Sequence, residues 1–111
     1  MNRELRDKWC HELRYGNLSQ GEGALRCDGK YCCLGVLCNI VDPDAWSEPS
    51  CGDIEYNDVF YYTLHDADSK ILPTLLREHL GITVEEQCYI IQMNDNGRTF
   101  NEITDYIEEF L

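Results

Sequence analysis

The chain has 111 residues, 43% hydrophobic and 27% charged, which suits one domain over residues 1–111 with one core and excludes a disordered chain. Its formal net charge of −12 sets it against nucleic acid phosphates and anionic membranes as partners. No apolar run approaches the roughly 20 residues that cross a bilayer, and "MNRELRDKWC" lacks the apolar stretch of a signal peptide, so the sequence points to a cytoplasmic protein.

Residues 2–15 read as a helix. Leu5, Trp9 and Leu13 recur every four residues and make one apolar stripe, which Gly16 and Asn17 end. "LSQGEG" reads as a loop. "GALRCDGKYCC" reads as a β-hairpin, because Asp28-Gly29 suits a two-residue turn. "LGVLCNIV" is apolar throughout and is expected to be a short buried helix stopped at Asp42-Pro43. Residues 42–58 form an acidic loop, and "VFYYTL" (59–64) has the composition of a strand. "LPTLLREHLG" predicts a short helix with Pro73 near its start and Gly81 after its end.

Two capping boxes then open two helices, Thr83 with Glu86 and Thr99 with Glu102. Val84, Cys88 and Ile91 are expected to form the apolar face of the first. Phe100, Ile103, Ile107 and Phe110 are expected to form that of the second. "NDNG" (94–97) joins them. The expected fold is α+β: an N-terminal helix, a small antiparallel sheet and a helical C-terminal half.

The charge is unevenly spread. Between Lys30 and Lys70 there is no basic residue, and eight carboxylates fall in that interval: Asp42, Asp44, Glu48, Asp53, Glu55, Asp58, Asp66 and Asp68. Such a stretch attracts a basic protein surface and is expected to bind one. A merely solubilising surface is the plain alternative.

Seven cysteines, an odd number, argue against a disulfide framework in a reducing compartment. Cys27, Cys32, Cys33 and Cys38 lack the loop knuckles of a zinc site. Cys32 or Cys33 could sit at a helix start as a nucleophile, with His11, His65 or His79 as base and His65 the best placed. The remaining reading treats Cys33 and Cys38 as small core residues. "DPD" and "DAD" fail as calcium loops, since the glycine and glutamate such a loop needs are missing. No metal and no cofactor is expected. A polar pocket for a nucleotide is the other candidate site, lined by Arg14, Gln20, Lys30, Asn94 and Asp95, with Trp9 or Tyr31 stacking on a base.

Two resemblances follow from motifs. "TVEEQCYIIQMNDNGRTFNEITDYI" resembles the first two helices of the DNA-reading unit of resolvases and transposases. The chain has no Lys or Arg after Arg98, so the basic footprint of a reader is missing. The ordered set Trp9, Leu13-Arg14-Tyr15-Gly16, Gln20-Gly21, "YCCLGVLC", Leu72-Pro73 and Asn94-Asp95-x-Gly97-x-Thr99-Phe100-x-Glu102-Ile103 resembles a group of small phage and prophage proteins. Ile103-Thr104 departs from that group's Ile-Ala and is expected to be a surface change. The resemblance implies a phage setting. Together with the charge it gives the expected function: non-catalytic inhibition of a host defence protein through an acidic, nucleic-acid-mimicking surface. A sponge for nucleotide signals and a cysteine-dependent enzyme are the alternatives.

Overall fold

The computed structural model describes residues 1–27, 29–44, 46–47, 55–56, 71–72 and 74–111. Helix α1 spans Arg3–Tyr15. Asn2 starts it, its Oδ1 accepting from the Leu5 N–H at 3.0 Å, and Glu4 and Arg14 complement the two ends of the helix dipole. Trp9 and Leu13 are buried and Leu5 packs beside them, so the four-residue stripe faces the core as its spacing predicts.

The hairpin forms where expected, with β2 (Arg26–Cys27) antiparallel to β3 (Lys30–Tyr31). Gly29, at φ 74°, supplies the positive φ of the turn; Asp28 lies outside the described residues. A further strand, β1 (Ser19–Gln20), lies parallel to β3, giving the order β1-β3-β2. The sheet is therefore mixed, and residues 19–20 leave the loop that "LSQGEG" suggests. A two-residue strand carries no periodicity to read; its position is fixed by pairing alone, as when Gly21 N–H donates to the Tyr31 carbonyl at 2.8 Å.

Helix α2 spans Cys33–Val41, capped by the Cys32 Sγ, which accepts from Gly35 N–H at 3.4 Å. Cys33, Leu34, Gly35, Val36, Leu37 and Cys38 are all buried, the pattern of a helix covered nearly all round. The hairpin touches its first turn: Cys32 N–H donates to the Leu25 carbonyl at 3.1 Å. A Cβ on Gly35 would stand 2.8 Å from that carbonyl carbon, so only glycine admits this approach. Asp42 ends the helix as expected, its N–H reaching the Cys38 carbonyl at 3.0 Å.

Within the expected acidic loop, β4 (Trp46–Ser47) pairs antiparallel with β5 (Glu55–Tyr56). The strand expected at 59–64 lies outside the described residues. Helix α3 spans Thr74–Leu80 and ends on Gly81 at φ 77°, with the Ile82 N–H returning to the Arg77 carbonyl at 3.2 Å. Helices α4 (Val84–Asp95) and α5 (Phe100–Phe110) open on the two expected capping boxes, both reciprocal. Gly97, at φ 87°, turns the chain between them.

The core lies where α1 packs on α5 and α2, α2 on α4, and α4 on α5. Trp9, Leu34, Leu37, Leu76, Ile90, Ile103 and Ile107 fill it. The architecture is α+β, with an N-terminal helix, a small three-stranded sheet and a helical C-terminal half. Among the described residues no helix is long and apolar enough to cross a membrane.

Two helix faces differ from expectation. On α4 the buried positions are Gln87, Ile90 and Asn94, while Val84 and Cys88 are exposed and Ile91 is half-buried. Buried amides replace apolar residues there because each is hydrogen-bonded; the Gln87 Oε1, for one, accepts from Leu72 N–H at 2.9 Å. On α5, Ile103 and Ile107 are buried but Phe110 is 61% exposed. Thr104 is wholly buried rather than on the surface, and its hydroxyl donates to the Phe100 carbonyl at 2.7 Å.

Candidate functional site

Asn94 is the centre of a polar network that joins the sheet, α2 and α4. Its Oδ1 accepts from the Gln20 side-chain amide at 3.0 Å and from the Cys33 backbone N–H at 3.2 Å. Its Nδ2 donates to the Gly21 carbonyl at 2.7 Å. Gln20 Nε2 also donates to the Arg98 carbonyl at 2.7 Å, and Asp95 Oδ1 accepts from Gly23 N–H at 3.1 Å. Three of the seven nucleotide-pocket candidates, Gln20, Asn94 and Asp95, thus meet. They meet to satisfy one another and the backbone, with Asn94 fully enclosed.

The other four have other surroundings. Trp9 is fully buried and its indole N–H donates to the Cys33 carbonyl at 2.8 Å, so no base can stack on it. Arg14 faces α5, bonded to Asp105 and to Glu108; the hydrogen bond it donates to Asp105 holds the guanidinium's pKa above its usual value. Tyr31 is buried against Trp46, at 5.9 Å between ring centroids, with the Arg26 guanidinium 5.4 Å from its own ring. Lys30 is exposed on β3. The seven do not line one cavity, because helix-start and turn residues that look available in sequence are spent on backbone groups the fold buries.

Burial decides the chemistry of the thiols. It raises Cys32 to about 11 and Cys33 well above the usual thiol value. Cys10 is also raised to about 11, by burial and then by the Glu108 charge. Cys33 donates its S–H to the Ile90 carbonyl at 3.8 Å. A nucleophile needs the opposite shift. His11 packs on Tyr15 at 5.2 Å, His79 lies on α3, and His65 lies outside the described residues. Among the described residues no group of three or more His, Cys, Asp and Glu is placed to hold a metal ion. Alkylation at about pH 8 is accordingly expected to label exposed Cys88 while sparing Cys32 and Cys33 until denaturant is added. Peptide mapping checks this, and rapid labelling of Cys33 in the native protein would sink it.

Of the eight acidic positions, Asp42 caps α2 and accepts from the Asp44 N–H at 3.0 Å, and Asp44 is exposed. Glu55 lies in β5, opposite Ser47. Glu48, Asp53, Asp58, Asp66 and Asp68 lie outside the described residues.

The outer face of α4 and α5 carries a feature that the apolar stripes do not reveal. Tyr89 stacks on Tyr106 with ring centroids 4.8 Å apart, and Tyr106 on Phe110 at 4.9 Å. Tyr89 is 51% exposed, so this row of rings meets solvent. Burial, and then the charges of Glu86 and Tyr89, raise the Tyr106 pKa. Residues 84–111 hold seven carboxylates (Glu85, Glu86, Asp95, Glu102, Asp105, Glu108, Glu109) against Arg98 alone. At the turn end of the row lies an open cleft of about 690 Å³, lined by Tyr89, Met93, Asn96, Arg98, Glu102 and Asp105 among others. Backbone bonding from Thr99 and then Arg98 hold Glu102 below the usual carboxylate range. The sequence signal for this face was the aromatic content of helix positions that point away from Ile90 and Ile103.

Fold and site together define a small α+β domain with protonated buried thiols and an acidic, aromatic outer face. The chain matches the model of a domain of unknown function, DUF8296, over residues 1–111 and belongs to that family. No curated protein and no solved structure matches it.

Proposed function

We propose that this protein acts by non-catalytic binding to a protein with a basic surface, and that in a phage setting the partner is a host defence protein whose nucleic-acid-binding face it occupies. The observation that supports this is the solvent-facing row Tyr89, Tyr106 and Phe110 on a pair of helices with a charge of −6, seven carboxylates against one arginine. Exposed aromatic rings mark interaction surfaces. The surrounding carboxylates select a cationic partner and speed its arrival. The raised thiols favour binding over cysteine catalysis, and the burial of Trp9 and Tyr31 together with the pairing of Arg14 to Asp105 and Glu108 favours it over nucleotide capture.

Capture from a host lysate by wild type and by a Tyr89→Ser/Phe110→Ser variant tests the reading. A basic protein held by wild type at low salt, released at high salt and absent from the variant is the expected result. Equal retention of that protein by the variant, or capture of acidic proteins only, would refute it.

A further inference from the structure

We infer that the α4–α5 face seats arginine side chains of the partner, in preference to lysine, with Tyr89 and the adjoining cleft as the specificity-determining element; this rests on the binding reading proposed above. Four observations converge there. Tyr89, Tyr106 and Phe110 offer a row of ring surface at a spacing of 4.8 and 4.9 Å, and a planar guanidinium stacks on such rings better than an ammonium does. The cleft beside Tyr89 has about 690 Å³ open to it, ample for an arginine head group.

Asp105, with 73% of its side chain exposed, gives Oδ1 to Arg14, and no protein hydrogen bond to its Oδ2 is found among the described residues. That leaves an acceptor for a guanidinium N–H. Finally, α4 has no basic residue in its last turn, and Asn96 and Gly97, just past its end, line the same cleft. The negative end of the helix dipole therefore adds to the attraction. Arg98, the one cation of the lining, is engaged by Glu102 at 3.0 Å.

Charge also decides between occupants. A second copy would set two helix pairs of charge −6 against each other, and a nucleic acid or an anionic lipid surface would meet the same repulsion. A cationic segment meets a net attraction, since Arg98 and Arg14 offset only part of the negative charge.

Fluorescence anisotropy of the full chain against two labelled helical peptides, identical except that one carries arginine and the other lysine, tests the inference. The arginine peptide is expected to bind about tenfold more tightly. Tyr89→Leu keeps the apolar bulk but removes the ring, and is expected to abolish the preference while leaving weaker, salt-sensitive binding of both peptides. Equal affinity of the two peptides for wild type would overturn the arginine seat and leave the basic-partner reading standing. Binding of neither peptide at low salt would overturn both. Dimerisation of wild type in sedimentation that Tyr89→Leu removes would show the face to be self-associating and overturn the seat.

Discussion

Asn94→Ala is expected to destabilise the protein by about 3–5 kcal/mol, because it strands enclosed polar groups at the start of α2 and at the end of β1 at once. The Cys33 N–H at the start of α2 and the Gly21 carbonyl beside β1 each lose a partner, at 3.2 and 2.7 Å, and Gln20 loses one of its two acceptors. Each orphaned buried group costs about 1–3 kcal/mol, against a typical domain stability of about 5–15 kcal/mol. Asn94→Leu fills the space without restoring a hydrogen bond and is expected to lose as much. Asn94→Asp keeps the two acceptor contacts, loses the donor and buries a charge, so it too is expected to fail. Urea unfolding of the three variants measures this. Near-wild-type stability of Asn94→Leu would mean that the site needs volume and not its amide.

Trp9→Ala is expected to cost a further class of energy, about 3–5 kcal/mol, from the removal of a large side chain. Trp9 is fully enclosed in the core and reaches from α1 to α2 through the 2.8 Å hydrogen bond to the Cys33 carbonyl. Trp9→Phe separates the two contributions: most of the packing stays and the hydrogen bond goes, for about 1–2 kcal/mol. Thermal and denaturant melts of the pair give the values, and a Trp9→Ala loss below about 1 kcal/mol would contradict the cavity argument.

What the sequence shows of this fold is mostly where elements begin and end. Thr83 with Glu86, Thr99 with Glu102, Gly81, Gly97 and Asp42 each impose a local backbone requirement, and a local requirement is visible in a local string. The α1 stripe is equally plain, since Leu5, Trp9 and Leu13 serve one face. Tertiary choices are less visible. Val84, Cys88 and Ile91 make a better apolar face on α4 than Gln87, Ile90 and Asn94, yet the latter are buried. The hydrogen bonds that make this affordable come from Leu72, Gln20, Gly21 and Cys33, far away in sequence. The same blindness hides the candidate site. Phe110 belongs to the apolar stripe by spacing, and only the packing of α5 in the fold shows it in solvent, with its ring against Tyr106 one turn earlier on the same helix. Of the nucleotide-pocket residues, Gln20, Asn94 and Asp95 do gather, as their polar character near glycines suggests, but around the backbone they satisfy.

The packing of α1 against α5 has a consequence for how the chain reaches this state. α1 ends at Tyr15 and α5 begins at Phe100, so their contact closes a loop of most of the molecule. The Gln20–Asn94 and Arg14–Asp105 bonds close loops of similar span. Contacts so distant along the chain incur the full entropy of loop closure before they return any stability. They slow folding in proportion to the share of the core that depends on them. A chain emerging from the ribosome would carry α2, apolar on nearly every side, with only α1 and the hairpin to cover it until α4 arrives. Aggregation during synthesis, more than loss of the finished fold, is then the hazard to which this architecture is most exposed.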